Sequence, residues 1–135
     1  RLTARARELL AAEQPFLITG DFNIIPEEQD CHDPRAWEGD ALFRPESRAA
    51  WRRLLNLGLY DAFRTLHPQA ERAFTFWDYQ AGAFQKNNGI RIDHLLLSPK
   101  AADRLHRVGI DKKARAAEKP SDHVPIYADF RFATR

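Results

Sequence analysis

Four short segments, in each of which polar side chains lie beside an apolar stretch, constrain the fold of this chain most. They are Gly20-Asp21-Phe22-Asn23, Trp77-Asp78, Arg91-Ile92-Asp93-His94 and Ser121-Asp122-His123-Val124-Pro125. Short apolar stretches favour strands, and a site whose groups must converge is usually built on such rigid elements. Because the segments are far apart in the sequence, only a fold that gathers strand ends can bring them together.

Composition and charge exclude several classes of protein. The chain has 135 residues and 44% hydrophobic content, which suits one soluble domain with a modest core. One cysteine, Cys31, excludes an internal disulfide framework and fits a reducing compartment. No apolar run approaches the ~18 residues of a membrane helix, and no signal peptide is visible. The sequence therefore predicts a cytoplasmic protein without a membrane partner.

The net charge of +2 is too small to attract a polyanion strongly. A local basic cluster precedes Ser121 and would neutralise a phosphate backbone, although a solvated surface loop is the alternative. Its members are Lys112, Lys113, Arg115 and Lys119.

Apolar periodicity predicts helices over residues 1–13, 45–57 and 101–107, and a helical turn over 60–63. Predicted strands cover residues 16–19, 74–79, 90–97, 108–110 and 124–132. The strand 16–19 is expected to be buried, and 74–79 and 90–97 are expected to form a hairpin with its tip at 80–89. Residues 26–45 read as a long irregular loop. The first helix has no capping residue and no initiator methionine, so we expect the chain to begin partway through a helix.

Asp21 and Asn23 follow the first predicted strand. In an extended segment, residues two apart point to the same side, so both polar groups would share one face. That arrangement suits a carboxylate and an amide that bind one phosphate or one hard cation. An Asx turn with no chemical role is the alternative.

Asp93 begins a very apolar strand, where a buried carboxylate is costly without a partner. An acid/base histidine is often oriented by a carboxylate, so Asp93 is expected to orient His123. Asp122 is then left for a metal ion, and His94 lies on the opposite face as a structural residue. The aromatic residues Phe76 and Trp77 would pack against a sugar or fill the gap left by an absent base, or else belong to the core.

Three of these segments, in this order, resemble the exonuclease III family of the endonuclease/exonuclease/phosphatase superfamily. They are Gly20-Asp21-Phe22-Asn23, Arg91-Ile92-Asp93-His94 and Lys119-Pro120-Ser121-Asp122-His123-Val124-Pro125. The resemblance covers about residues 16–132. It implies an α/β, deoxyribonuclease-like fold: half of a four-layer α/β sandwich, in which residues 1–135 form one region with one mixed, mostly antiparallel sheet and flanking helices.

The family's first half, which supplies an asparagine, a glutamate metal ligand and a catalytic tyrosine, has no counterpart in this sequence. The resemblance therefore implies the C-terminal part of a domain whose N-terminal half is absent. We expect such a half to expose an apolar face, to need its missing half as a partner, and to have little activity alone. The complete enzyme is expected to be monomeric.

The resemblance implies a DNA-repair nuclease of the exodeoxyribonuclease III type, which uses Mg²⁺ or Mn²⁺. It would degrade duplex DNA from 3′ to 5′ and cut at abasic sites. Asp21 would activate water, Asn23 would hold Asp21 and the phosphate, and Asp93 would orient the donor His123. The implied metal ligands are Asp21, Asn23, Asp122 and His123. The implied DNA-binding residues are Phe76, Trp77, Asp78 and His123.

The Ser-Asp-His-Val-Pro segment is shared across the superfamily, including phosphatases that act on inositol phosphates and sphingomyelin. A phospholipid or inositol phosphate hydrolase is therefore an alternative, and a noncatalytic fragment is another. Lys119-Pro120-Ser121 before Asp122, residues 89–93 and residues 57–63 resemble exonuclease III specifically, and they favour DNA as the substrate.

Overall fold

A computed structural model describes residues 1–132 of the chain. The helices are α1 (Leu2–Ala11), α2 (Pro34–Trp37), α3 (Pro45–Asn56), α4 (Ala62–Leu66) and α5 (Pro99–Ala102). The strands are β1 (Leu17–Asp21), β2 (Tyr60–Asp61), β3 (Asp93–Leu97), β4 (Leu105–Ile110) and β5 (Ile126–Phe130). Short 3-10 turns cover Glu28–Asp30, Ala41–Phe43 and Lys112–Ala116. Within residues 1–132, none of the helices has the length and apolar character needed to cross a membrane.

The strands form two separate sheets, so the prediction of one sheet is wrong. The first has the order β1-β3-β2 and the second pairs β4 with β5, and all these pairs are antiparallel. The sheets stay separate because residues 122–124 pair with the backbone of Thr75 and Trp77 rather than with β3. The prediction of mostly antiparallel pairing is confirmed.

Strand β3 lies at the centre of the hydrophobic core because both of its faces are covered. Leu96 packs with Ala6 of α1 and Trp51 of α3. Leu95 and Leu97 point to the other side, as the strand period of two requires, and pack with α4, α5 and β4. This burial explains why the segment is almost continuously apolar in the sequence.

Strand β1 differs from its prediction in two respects. It continues through Gly20 to Asp21, and it is largely exposed, with Leu17 at 45%. The reason is that β1 is an edge strand that pairs only with β3. Its outer side, together with Leu2 and the half-buried Ile18 and Phe22, forms an open groove, so the expected exposed apolar face is present.

The predicted hairpin over residues 74–79 and 90–97 does not form. Only Phe76 and Ile90 make an antiparallel bridge there, because Phe74 and Trp77 pack with Ala83 and Val124 in a separate small core. Residues 81–87 form turns.

Three further predictions needed correction in detail. Tyr60–Asp61 is strand β2 rather than helix, because it pairs with Leu96 and Leu97. The helix predicted over 101–107 is α5, and the chain already enters β4 at Leu105. Residues 26–45 contain short helical turns within the predicted loop. The helices predicted over 1–13 and 45–57 are confirmed as α1 and α3.

A group of buried charged side chains, which we call the Arg91 cluster, joins the loop of residues 26–45 to the start of β3. Its members are Asp30, Asp61, Arg64 and Arg91. Arg91 is fully buried and donates to Asp30 and Asp61, with Nε–Oδ1 and Nη2–Oδ2 distances of 2.8 Å each. Arg64 donates to the same Asp30 at 2.6 Å. Two carboxylates and two guanidinium groups thus balance in charge, which a buried ionic group requires.

Candidate functional site

Three titratable side chains from different elements converge at one end of the first sheet. Asp21 is the last residue of β1, Asp93 is the first residue of β3, and the two are paired in the antiparallel register. His123 lies in the segment before β5 and makes an antiparallel bridge with Phe76. One ligand atom from each of the three residues lies within 4.8 Å of the others.

Asp93 and His123 are hydrogen-bonded, as the sequence predicted. The distance between His123 Nδ1 and Asp93 Oδ2 is 2.8 Å. Because Nδ1–H donates a hydrogen bond to Asp93 Oδ2, the other ring nitrogen, Nε2, is directed toward Asp21, whose Oδ2 lies 3.7 Å away. The carboxylate of Asp93 therefore fixes both the orientation and the tautomer of the imidazole.

The surroundings of His123 favour its protonated form. Partial burial lowers its pKa, but the hydrogen bond and charge of Asp93 and the charges of Asp21 and Asp122 together outweigh that effect. The net result is a pKa above the ordinary value for histidine. His123 is thus suited to hold and donate a proton.

The cluster carries more negative than positive charge. Asp21 and Asp93 contribute two carboxylates, and His123 adds at most one positive charge. Carboxylate oxygens are the ligands that Mg²⁺ and Mn²⁺ prefer, and the Asp21 side chain is 39% exposed and accessible to an ion. The donor set therefore fits a divalent cation.

Asn23 does not lie in an extended segment, so the prediction that it shares one strand face with Asp21 is wrong. Its φ is 52°, and its backbone N–H donates to Asp21 Oδ1 at 2.9 Å. This is the Asx turn that the sequence left open as an alternative. The turn and the cluster use different oxygens of Asp21, since Oδ1 accepts from the backbone while Oδ2 faces His123. Asn23 is exposed beside the site, and its proposed roles stay predictions.

Asp122 lies next to the cluster but outside it. Within residues 1–132, the group whose ligand atoms all lie within 4.8 Å of one another consists of Asp21, Asp93 and His123, and it does not include Asp122. The charge of Asp122 contributes to the raised pKa of His123, and its backbone carbonyl accepts from Trp77 N at 3.0 Å. Its role as a metal ligand stays a prediction. Sequence reasoning gave Asp93 only the role of orienting His123. It did not reveal that Asp93 lies opposite Asp21, because the register between β1 and β3 depends on contacts between distant segments.

The aromatic residues proposed to bind DNA have different environments. Phe76 is half-buried, lies against His123 with ring centroids 5.2 Å apart, and lines a cavity with His32 and Ile90. Trp77 is 1% exposed, and its Nε1 donates to Asn87 Oδ1 at 3.0 Å. The prediction that Trp77 contacts DNA is therefore corrected: its ring is a core residue.

Asp78 is exposed and could reach a ligand, although its Oδ1 already accepts from Gln80 N at 3.0 Å. Its predicted role in DNA binding stays a prediction.

The basic cluster is only partly available to a phosphate backbone. Arg115 is buried and donates to the carbonyl oxygens of Trp77 and Asp78, so its role is structural. Lys113 and Lys119 are exposed.

Comparison with protein families and curated proteins gives consistent matches. The model of the Endonuclease/Exonuclease/phosphatase family matches residues 1–123. Exodeoxyribonuclease III of Haemophilus influenzae is 46% identical over 123 residues, which cover 87% of this chain and 46% of that protein.

Solved structures agree with these matches. The 3′ phosphatase NExo from Neisseria, bound to product DNA hairpin, superposes with a TM-score of 0.92 and 38% identity, covering 97% of this chain and 51% of that one. An AP endonuclease from Archaeoglobus fulgidus superposes with a TM-score of 0.91 and 36% identity, with the same coverage. The predicted fold class is confirmed, and the chain spans about half the length of the relatives that it matches.

Proposed function

This chain belongs to the endonuclease/exonuclease/phosphatase family and to its exonuclease III branch, and on that premise we propose that the complete protein is a metal-dependent DNA-repair nuclease. The observation that carries the proposal is the convergence of Asp21, Asp93 and His123 within 4.8 Å at the end of the first sheet. Two carboxylates and an oriented imidazole are suited to phosphodiester hydrolysis.

Each residue of the cluster has a distinct role in the proposed reaction. Asp21, through its Oδ2, accepts a proton from the attacking water. As the water oxygen bonds to phosphorus and the ester P–O bond breaks, His123, which Asp93 holds by its Nδ1, donates a proton from Nε2 to a phosphoryl oxygen on which negative charge develops. The leaving oxygen keeps the electron pair of the broken bond and takes a proton from solvent water. A general base and a general acid of this kind each contribute on the order of 10² to 10⁴ in rate.

A divalent cation, Mg²⁺ or Mn²⁺, is part of the proposal. Asp21, with Asn23 and Asp122 as further candidate ligands, would hold it, and it would supply Lewis acidity to the phosphoryl oxygens. His123, which the resemblance also implied as a ligand, is not included here, because both of its ring nitrogens carry protons when it acts as the donor. The excess negative charge of the cluster supports such an ion.

The proposed substrate is duplex DNA, degraded from 3′ to 5′ or cut at abasic sites. Three observations support it: a relative named exodeoxyribonuclease III, a structural neighbour described as an AP endonuclease, and another described as bound to a product DNA hairpin. Phe76 beside His123 and the exposed Lys113 and Lys119 suit a sugar-phosphate chain. None of these observations favours a phospholipid or inositol phosphate substrate.

We further propose that activity needs the part of the domain that this chain does not span in its relatives. The chain spans 46% of the Haemophilus enzyme and 51% of the Neisseria structure. The open groove beside β1 is consistent with a partner segment. A monomeric, cytoplasmic enzyme remains part of this proposal. The isolated chain should then show little turnover with Mg²⁺, and turnover close to that of the complete protein would contradict the requirement.

Substitution of Asp21 tests the reaction in the complete protein. Asp21→Asn keeps a side-chain oxygen for the Asx turn but removes the charge, so cutting of an abasic duplex should fall about 10² to 10⁴-fold while duplex binding is kept. Asp40→Asn is a matched control, because Asp40 is exposed and its Oδ1 accepts from Leu42 N at 2.9 Å in the same kind of turn. If Asp21→Asn cuts as fast as this control, Asp21 is not the base.

A further inference from the structure

Thr75 lies between the two partners of the Asp93–His123 pair, yet it belongs to neither sheet. It is fully buried. Its hydroxyl oxygen accepts two consecutive backbone N–H groups, from Ile92 at 3.1 Å and from Asp93 at 3.2 Å. The side chain of Thr75 therefore bonds directly to the residue whose carboxylate orients His123.

The backbone of Thr75 bonds to the other partner's segment. Its carbonyl oxygen accepts from Val124 N at 2.9 Å, and Val124 directly follows His123. Its N–H donates to Ile90 O at 2.9 Å, and the next residue, Phe76, makes the bridge to His123. One buried residue thus connects the backbone that carries Asp93 to the backbone that carries His123.

The hydroxyl is the only part of this connection that depends on the identity of the side chain. A hydroxyl oxygen has two lone pairs and can accept both N–H groups, whereas a methyl group of similar size accepts neither. Two neighbouring amides would then lack partners in a buried region, which strongly favours a local shift of the backbone. Asp93 would move relative to His123, and the 2.8 Å bond between them would be disturbed.

We propose that Thr75 is a positioning residue for the reaction: its hydroxyl sets the place of Asp93 and, through it, the orientation of His123. This inference rests on the proposed nuclease function. Because Thr75 is fully buried, we expect it not to touch the substrate, so its loss should reduce kcat and leave KM nearly unchanged. A misplacement of about 1 Å can cost up to about 10²-fold in rate, so a reduction of about 10-fold or more is expected.

The test uses the complete protein with an abasic duplex and Mg²⁺. Thr75→Val removes the hydroxyl at nearly constant shape and should lower kcat per folded molecule about 10-fold or more, with KM within about 2-fold. Thr75→Ser keeps the hydroxyl and should restore most of kcat. Thr65→Val is the matched control, because the Thr65 hydroxyl of α4 donates to the carbonyl oxygen of Asp61 in β2 at 2.8 Å, and kcat should not change.

A double-mutant cycle with Asp93→Ala shows whether Thr75 acts through Asp93. In that background, Thr75→Val should cause no further loss of kcat. An equal loss in both backgrounds would overturn the proposal, and so would a Thr75→Val enzyme that melts earlier but keeps full kcat. If Thr75→Val does not fold, Thr75→Cys replaces the hydroxyl by a weak acceptor and should give a kcat below that of Thr75→Ser. Full kcat in Thr75→Cys would overturn the proposal.

Failure of the proposed function gives a different result. If Asp93→Ala itself cuts at the full rate, the assignment of Asp93 and His123 to the reaction is wrong, and the role of Thr75 falls with it. If Asp93→Ala is slow while Thr75→Val is fast, only the role of Thr75 is refuted.

Discussion

The Arg91 cluster and the candidate site are two groups of ionisable residues around the same strand, β3. Arg91 and Asp93 are only two positions apart in the sequence, yet they belong to different groups. In the Arg91 cluster, Asp30 and Arg91 are fully buried and their charges are compensated at 2.8 Å. In the candidate site, Asp21 is 39% exposed and the two carboxylates face a single imidazole.

This difference shows how ionisable residues that stabilise the fold can be distinguished from those that can bind a ligand or react in this molecule. A balanced, buried group has paired its charges within the protein and offers little free charge to a ligand. An unbalanced group at the surface keeps oxygen atoms that a cation or a phosphate can engage. Charge balance and exposure distinguish the two groups, whereas residue type does not.

The two histidines show the same contrast in their pKa values. Burial, with the charge of Arg91 in addition, lowers the pKa of His94 to about 4. His94 is neutral, accepts from Arg91 Nη1 at its Nδ1, and donates from Nε2 to Ile24 O at 2.9 Å. His123 has its pKa raised instead, because the nearby carboxylates outweigh its partial burial.

The largest expected effect comes from removing the central cation of the buried group. Arg91→Met leaves Asp61 without its guanidinium partner and Asp30 with only Arg64, and removal of one member of a buried ion pair costs about 3–5 kcal/mol in the free energy of unfolding. Chemical denaturation of the complete protein measures this loss. Arg107→Met is the matched control, since Arg107 pairs with Asp129 at the surface and its loss should have no measurable effect. Equal stability of the two variants would show that the Arg91 cluster is not a structural unit.

The next effect is the pH dependence that His94 causes. Its pKa is about 4 in the folded protein against an ordinary value of 6.5, so the unfolded chain binds the proton first as the pH falls. The stability from neutral, buried His94 is complete above pH 6.5 and is lost as the pH falls toward 4, by about 3 kcal/mol. Unfolding measured at several pH values should show a smaller loss in His94→Gln than in the unchanged protein. Identical pH profiles would contradict this assignment.

The smallest effect concerns His123, and it has the opposite sign. Because its pKa is raised in the folded protein, the stability from protonated His123 is present below pH 6.5 and is lost as the pH rises through the folded-state value. NMR titration without metal should give a midpoint above 6.5, and Asp93→Asn should lower it without moving that of His94. A midpoint for His123 that does not respond to Asp93→Asn would mean that the 2.8 Å bond has no electrostatic consequence.

Local sequence patterns predicted those parts of the fold that depend on local interactions. The apolar stripe of α3 and the apolar run of β3 were recognised because each element buries a face set by its own periodicity. The Asp93–His123 contact was predicted because a carboxylate at the start of such a strand needs a donor.

The remaining features depend on contacts between distant segments. Trp77 was placed at the DNA because its burial against Phe84 and Val124 cannot be inferred from residues 74–79 alone. The strand Tyr60–Asp61 was missed because only pairing with β3 makes it a strand. The same limit hid Thr75, whose two N–H donors lie 17 and 18 residues away in the sequence.

The divided use of the Asp21 carboxylate limits which residue can occupy that position. One oxygen closes a turn with the backbone two residues later, and the other faces the imidazole. A glutamate would keep the charge, but its extra methylene would carry the carboxylate past the amide that it must cap. An asparagine would keep the turn and lose the charge. Side-chain length and ionisation are thus selected together at this position, and exchange between the two acidic amino acids there is not conservative.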